Sequence, residues 1–362
     1  MARKVLVSLV SDQTIPIVLL AKELSDIDFY IFVTTKKMEE NKRSDHTILA
    51  LGLADNQFLK IRVQEDSLID ISENLKNKLS SNDEYIVNLT GGTKLMSIGS
   101  FNFFKKKNSV IYYIAGGKNT YRQIYPEINN KEKNLNYRAN IKEYLRSYGI
   151  EIHKKSFNNK NNLLKSEEYT RTVFIKYTSN QIDFQFLDEL RKIRKISKFI
   201  ITDLFGLEEF LTNIEFKTIN PGFIVKKEIE YLTGGWFEEF IYQKIMQKYN
   251  FEDEIDMIGI NVTISNQKLQ NEFDIMYMFK NRLHVIECKT GIFDSITNRN
   301  ITNDAIYKLA ALKKYFGLFA KTEFYTLSEK GNSVYELKQN YLDRANILSI
   351  EIKDKNDILN QN

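Results

Sequence analysis

In the first 120 positions apolar residues come in short runs: VLVSLV (5–10), IDFYIFVTT (27–35), YIVNLT (85–90) and SVIYYIAG (109–116). Helical segments separate most of them, the signature of a mainly parallel α/β sheet. From residue 234 the pattern changes. GGWFEEFIYQKIMQKY (234–249) carries Trp236, Phe237, Phe240, Ile241 and Ile245 as a helical stripe, and DMIGINVTI (256–264) reads as a strand. Two further apolar runs, 273–279 and 283–288, flank Lys280, Asn281 and Arg282 as a hairpin. NDAIYKLAALKKYFG (303–317) is helical again, with Asp304 as the expected cap and Gly317 as the stop. Strand 318–327, helix 332–345 and strand 347–352 complete the series.

The hairpin carries charges where buried strands are expected. A two-residue turn at Lys280 and Asn281 pairs residue 279 with 282, and counting inward places Asp274 opposite Glu287. Alternation then puts Glu287 and Lys289 on one face and Cys288 on the other. Directly opposed Cβ atoms lie about 5 Å apart, where two carboxylates repel unless a cation joins them. A hard divalent ion, Mg²⁺ or Mn²⁺, suits such oxygen ligands and leaves a role for the lysine. A solvated ion network on an edge hairpin is the alternative. In the preceding helix Glu238 has Ile241, Tyr242 and Ile245 at i+3, i+4 and i+7, so it is expected on the buried side. Glu239, with Gln243 four residues on, is expected to lean toward solvent.

Two loops in the first half also invite chemistry. SDQTIP follows the first strand and GGTK follows YIVNLT, each leading into a helix at the carboxyl edge of a parallel sheet, where backbone N–H groups hold phosphate. Neither the Walker A spacing nor GxGxxG is present, which disfavours nucleoside triphosphate hydrolysis and dinucleotide redox chemistry. The plainer reading of Gly91 and Gly92 is a tight turn.

Bulk properties narrow the field. The 362 residues suffice for two domains with a connector, and 52 basic against 47 acidic residues give a formal charge of +5, compatible with a polyanionic partner. One cysteine excludes disulfide scaffolds and cysteine-rich zinc sites, and His46, His153 and His284 do not pair at metal-ligand spacing. His284 falls across from Tyr277 in the hairpin and reads as structural. No window approaches the roughly 20 apolar residues of a membrane span, and no cleavage-like segment follows the basic start, so no membrane partner and a cytoplasmic location are expected. The connector, roughly 138–225, includes FLDELRKIRKISKFI, an amphipathic helix with a basic face. Solvation alone, nucleic-acid contact and a winged-helix role are its three readings.

Glu238, Asp274 and Glu287-Cys288-Lys289, with helix, three strands, helix, strand around them, resemble the PD-(D/E)xK nuclease superfamily. The resemblance covers roughly residues 230–352. Phe273 stands where that family's proline often stands. SLVSDQTIP and NLTGGTK, taken with this second half, resemble the CARF sensor domain. The combination is similar to type III CRISPR-associated ancillary nucleases. The fold so implied is α/β throughout: a Rossmann-like CARF sheet with flanking helices (1–137), the connector (138–225), and an αβββαβ restriction-endonuclease-like domain (226–362). The resemblance further implies a homodimer, a cyclic oligoadenylate activator, typically cyclic tetra-adenylate, and metal-dependent hydrolysis of DNA or RNA in antiviral defence. Carried over residue by residue, Asp274 and Glu287 hold the metal, Lys289 activates water, and Glu238 supports the metal through water. Ser11, Asp12, Gln13, Thr14, Gly91, Gly92, Thr93 and Lys94 are the matching ligand positions, with Ala115, Gly116 and Gly117 on the same edge. A non-catalytic ligand-responsive DNA-binding regulator and a ring nuclease that degrades its own ligand are the rival readings.

Overall fold

Short β-branched and aromatic runs in the first half form strands β1 (Lys4–Leu9), β2 (Phe29–Thr34), β3 (Phe58–Arg62), β4 (Glu84–Asn88) and β5 (Ser109–Ile114), mutually parallel, with β6 (Thr120–Tyr125) and β7 (Lys133–Asn134) added antiparallel. The computed structural model describes residues 2–360 apart from 128–131, 154–158, 183, 267–268, 292, 295–298 and 332–335. Strand order is β3-β2-β1-β4-β5-β6-β7, so the winding direction reverses between β1 and β4. Helices cover both faces, and successive residues of β1 divide between two cores: Val5, Val7 and Leu9 join one apolar cluster and Leu6 the other. Strand β3, with alternating charges at Lys60 and Arg62, is too short and polar to stand out in the chain.

The segment expected as a connector is built into both halves. Its first helix, Ile141–Ser147, packs in the core that also holds Leu6 and Ile17, and β8 (Glu151–Ile152) pairs with the second sheet. The basic helix spans only Phe184–Lys192, shorter than its amphipathic pattern suggests. The following residues turn into β9 (Lys198–Ile200), which pairs with β10 (Phe223–Val225).

The second sheet comprises β8, β11 (Ile258–Asn266), β12 (Leu269–Phe279), β13 (Arg282–Lys289), β16 (Lys321–Thr326) and β17 (Ile350–Lys353), in the order β17-β16-β13-β12-β11-β8. A separate pair, β14 (Phe293–Asp294) with β15 (Arg299–Asn300), lies between β13 and β16 in sequence. With helices Trp236–Tyr249, Ile301–Lys313 and Gln339–Ile347, the chain follows the expected αβββαβ order. Helix Ile301–Lys313 starts earlier than its apolar pattern suggests, because the Asn300 side chain accepts from Asn303 N at 2.9 Å. Asp304 lies inside the first turn and is not the cap. Gly317, at φ 84°, ends the segment. The later helix begins only at Gln339; residues 332–335 of its expected span lie outside the described residues.

Hairpin β12–β13 has the counted register, from Phe279 opposite Arg282 to Ile275 opposite Ile286. Lys280 at φ 49° and Asn281 at φ 57° make both central residues left-handed, as a type I′ turn requires, and asparagine tolerates that conformation. The turn is also an anchor. Asn281 Oδ1 accepts from Ala139 N at 2.8 Å, while its Nδ2 donates to Asn119 Oδ1 at 2.7 Å and to the Tyr137 carbonyl at 2.8 Å. Beside it the Arg282 guanidinium donates to the Gly117 carbonyl. The far end of the hairpin is thereby tied to the loop after β5.

Replacing Asn281 by glycine keeps the left-handed turn and deletes those side-chain bonds. The expected loss is about 1–3 kcal/mol, read as a lower melting temperature. An unchanged melting temperature would show that the docking bonds contribute nothing.

Candidate active site

The site is built from one hairpin and two helices. Asp274 on β12 and Glu287 on β13 are both buried, at 9% and 5% exposure. Lys289 Nζ lies 3.0 Å from Asp274 Oδ2 and 3.0 Å from Glu287 Oε1, and donates to the Cys288 carbonyl at 2.8 Å. Asp274 Oδ2 also accepts the Cys288 backbone N–H at 2.6 Å. The structure therefore brings Asp274, Glu287 and Lys289 together. Glu238, in the first turn of helix Trp236–Tyr249, faces the same cluster.

Electrostatics follow from burial and crowding. Burial, reinforced by the charges of Asp274 and Glu287, pushes the Glu238 carboxyl up to about 8, although Lys289 opposes the shift. Burial pulls Lys289 down, but Asp274, Glu287 and Glu238 outweigh it and hold the ammonium well above its ordinary pKa. Burial, then the neighbouring carboxylates, raises the Cys288 thiol, which suits inert packing. His284 is likewise spoken for: its Nδ1 lies 2.6 Å from Glu323 Oε1 and its ring stacks on Tyr277 at 4.3 Å.

A cavity of about 700 Å³ opens over this cluster, lined by Glu238, Glu239, Asp274, Lys289, Arg194 and Lys227 among others. Glu239 departs from expectation. It is buried, not solvent-facing, because residues 161–164 pack across the helix and the Leu164 N–H donates to Glu239 Oε1 at 2.8 Å. Burial raises its carboxyl to about 7 against the lowering effect of that bond. Arg194 and Lys308 are further cations that sequence reasoning did not bring to the site; Lys308 Nζ lies 2.7 Å from Glu287 Oε2. The signal for Lys308 was weak: it flanks the buried stripe Ala305, Ile306, Leu309 and Leu312.

Among the described residues no group of three or more His, Cys, Asp or Glu side chains gathers to cage a metal. The donor set nevertheless fits Mg²⁺ or Mn²⁺, which take one or two carboxylates and complete their shell with water and substrate phosphate. Asp274 and Glu287 are such a pair, and the raised Glu238 carboxyl is the group a nearby dication would bring back to its charged form.

The loops of the first half lie where the winding reverses. Gly91 abuts the end of β1 so closely that a Cβ would meet the Leu9 carbonyl oxygen at 2.2 Å, so Ser11 and Gly91 sit side by side only because residue 91 is glycine. Gly92 is left-handed at φ 76°, and Thr93 caps helix Lys94–Phe104 through Met96 N. Thr93 and Lys94 are exposed. Asp12 pairs with Arg43 at 3.1 Å. Thr14 is fully buried and donates to the Ser147 carbonyl, so its hydroxyl serves packing. Gln13 Oε1 accepts from Leu318 N at 2.9 Å and from Tyr148 OH at 3.3 Å, joining the loop to the second half. Gly116 is also at this junction, with the Phe319 ring against it, while the Ala115 carbonyl accepts the Lys118 N–H within the turn after β5.

Residues 5–144 match the family described as the Card1 CARF domain, and residues 225–359 match the Card1-like endonuclease domain. No curated protein matches the chain. Among solved structures it is similar to Can2 from Sulfobacillus thermosulfidooxidans in complex with cyclic tetra-adenylate (TM-score 0.74, 23% identity, 99% of this chain and 95% of that one). It is equally similar in fold to protein VC1899 from Vibrio cholerae (TM-score 0.74, 16% identity, 99% and 95%). A type III CRISPR defence DNA nuclease activated by cyclic oligoadenylate also matches (TM-score 0.54, 14% identity, 95% and 52%). These likenesses establish the shared fold. No helix among the described residues is long and apolar enough to cross a membrane.

A carboxyl whose folded pKa lies above its unfolded value binds its proton more tightly when folded. Its cost to the metal-free protein is absent below about 4.5 and grows as pH rises through 8. Glu238→Gln is therefore expected to raise the melting temperature in chelator at pH 8 and to leave it unchanged at pH 4. An equal gain at both pH values would contradict the assigned cause.

Proposed function

We propose that the chain, which belongs to the family joining a Card1-type CARF domain to a Card1-like endonuclease domain, is a type III CRISPR-associated, divalent-metal-dependent endonuclease switched on by cyclic tetra-adenylate. The observation that carries the catalytic reading is the Asp274–Lys289–Glu287 cluster, with both acids buried and one ammonium 3.0 Å from each. Bound through Asp274 and Glu287, Mg²⁺ or Mn²⁺ would supply Lewis acidity to a phosphodiester and acidify a water. Lys289 orients the attacking water and offsets charge gathering on phosphorus; its doubly paired ammonium is already in place for that role. Glu238 receives or yields a proton as the charge of the site changes, which its raised pKa allows. Arg194 and Lys227 line the cavity over the acids, where a nucleic-acid backbone, DNA or RNA, would find positive charge.

Ligand binding is assigned to the edge where the sheet reverses: Ser11, Asp12, Gln13, Gly91, Gly92, Thr93 and Lys94, with Ala115 and Gly116 closing one side. Thr14 shapes this edge from below. A homodimer is supported by apolar residues left exposed on the two adjoining helices: Leu68 and Ile69 on one, Leu95 and Ile98 on the other. A ring with two-fold symmetry suits an isologous pair of such edges. The gating route runs through contacts already made. Gln13 holds Leu318, and the loop at 117–119 holds Asn281 and Arg282 at the turn of the catalytic hairpin, so a ligand that shifts these loops pulls on the strands that carry Asp274 and Glu287.

Glu287→Ala and Lys289→Ala are each expected to lower ligand-stimulated cleavage at least about 10²-fold with cyclic tetra-adenylate affinity near wild type. Metal-dependent cleavage retained by both variants would overturn the site. For the gating route, Asn281→Gly is expected to keep ligand affinity while ligand-stimulated cleavage drops severalfold. Stimulation equal to wild type would place the coupling elsewhere.

A further inference from the structure

Glu287 is held twice. Its Oε1 lies 3.0 Å from Lys289 Nζ and its Oε2 lies 2.7 Å from Lys308 Nζ, so each carboxylate oxygen has its own ammonium. Lys308 comes from helix Ile301–Lys313, across from the hairpin, and its Nζ sits 5.1 Å from the centroid of the Phe273 ring. A second lysine on a buried acid adds little that the first does not provide if its task is only to keep Glu287 in place. The two lysines differ in their ties. Lys289 also holds Asp274 and the Cys288 carbonyl, whereas Glu287 is the sole hydrogen-bond partner of Lys308 among the described residues. A dication at Glu287 would compete with both ammonium groups for the same carboxylate, and Lys308, with fewer ties than Lys289, is the one placed to give way.

We infer that Lys308 is an exchangeable counter-cation of the catalytic site. It neutralises Glu287 in the metal-free protein and, once Glu287 turns to a divalent ion, moves its ammonium to a non-bridging oxygen of the scissile phosphodiester. This rests on the metal-dependent reading given above and adds a fifth functional side chain to it. Removing the competing positive charge should make the empty site more attractive to a dication, since a cation a few ångströms from Glu287 opposes the approach of a second one. The same removal should slow cleavage, because the phosphodiester loses a charge partner in the transition state.

The test is Mn²⁺ titration of the full-length protein without nucleic acid, followed by electron paramagnetic resonance. Wild type, Lys308→Gln and Lys308→Arg are compared, and ligand-stimulated kcat and KM are measured in parallel. Lys308→Gln is expected to bind Mn²⁺ at least about threefold more tightly and to lose at least about tenfold in kcat, with Lys308→Arg recovering part of the rate. A purely structural lysine would give unchanged or weaker Mn²⁺ binding with Gln, and that result, or an unaltered kcat, overturns the inference. Should Gln unfold the protein, Arg serves alone: by keeping the charge it must leave Mn²⁺ affinity near wild type, and a large change in either direction refutes the exchange. Absence of Mn²⁺ binding by wild type would instead refute the metal reading beneath it.

Discussion

Everything at the acidic site depends on the register of one hairpin. With Lys280 and Asn281 both left-handed, the turn fixes the alignment of β12 and β13, and that alignment brings Asp274 and Glu287 to one face with Lys289 between them. A slip of one residue would turn Glu287 and Lys289 to the opposite face and put Cys288 in their place. The buried acids repel one another, and Lys289 and Lys308 answer that repulsion in the metal-free protein. The site is thus a balanced charge cluster whose counter-ions are side chains until a harder cation arrives.

The same hairpin joins the two halves. Its turn is fastened by Asn281 and Arg282 to residues 117, 119, 137 and 139, while its open end carries the acids. A strand is stiff along its length, so the distance between the two ends, about 3.3 Å per residue over some six residues, is spanned by a single element. Gln13 and Tyr148 add a second connection at Leu318, just ahead of β16, the strand paired with β13. One apolar core runs from Leu6 and Ile17 through Tyr144 to Phe273 and Phe316, so the junction is packed as well as hydrogen-bonded.

What was legible in the chain is what local rules control. Alternation and a two-residue turn gave the hairpin register from Phe279–Arg282 to Ile275–Ile286, the convergence of Asp274, Glu287 and Lys289, and the stacking of His284 on Tyr277, since each depends only on neighbours in sequence. The order αβββαβ was legible for the same reason. Misreadings occurred where a distant segment decides. Helical periodicity assigned Glu239 to solvent because it cannot foresee residues 161–164 lying over that helix; the CARF resemblance counted Thr14 with the ligand loop, whereas its hydroxyl donates to the carbonyl of Ser147, far along the chain. Lys308 and Arg194 reach the site from elements whose own sequences give only a weak sign of it: a lysine flanking an apolar stripe, and a basic segment with nucleic-acid contact as one of three readings. Asn300 was passed over as a cap because the apolar pattern that marks its helix begins after it.

The central claim is that ligand binding at the first sheet's edge releases cleavage at the hairpin's acids. It is tested most directly by incubating the protein with labelled single-stranded DNA, single-stranded RNA and supercoiled plasmid in Mn²⁺, with and without cyclic tetra-adenylate. Cleavage that appears only with the ligand, in at least one substrate, is the expected result. Equal cleavage with and without it, or none in any condition, would contradict the account.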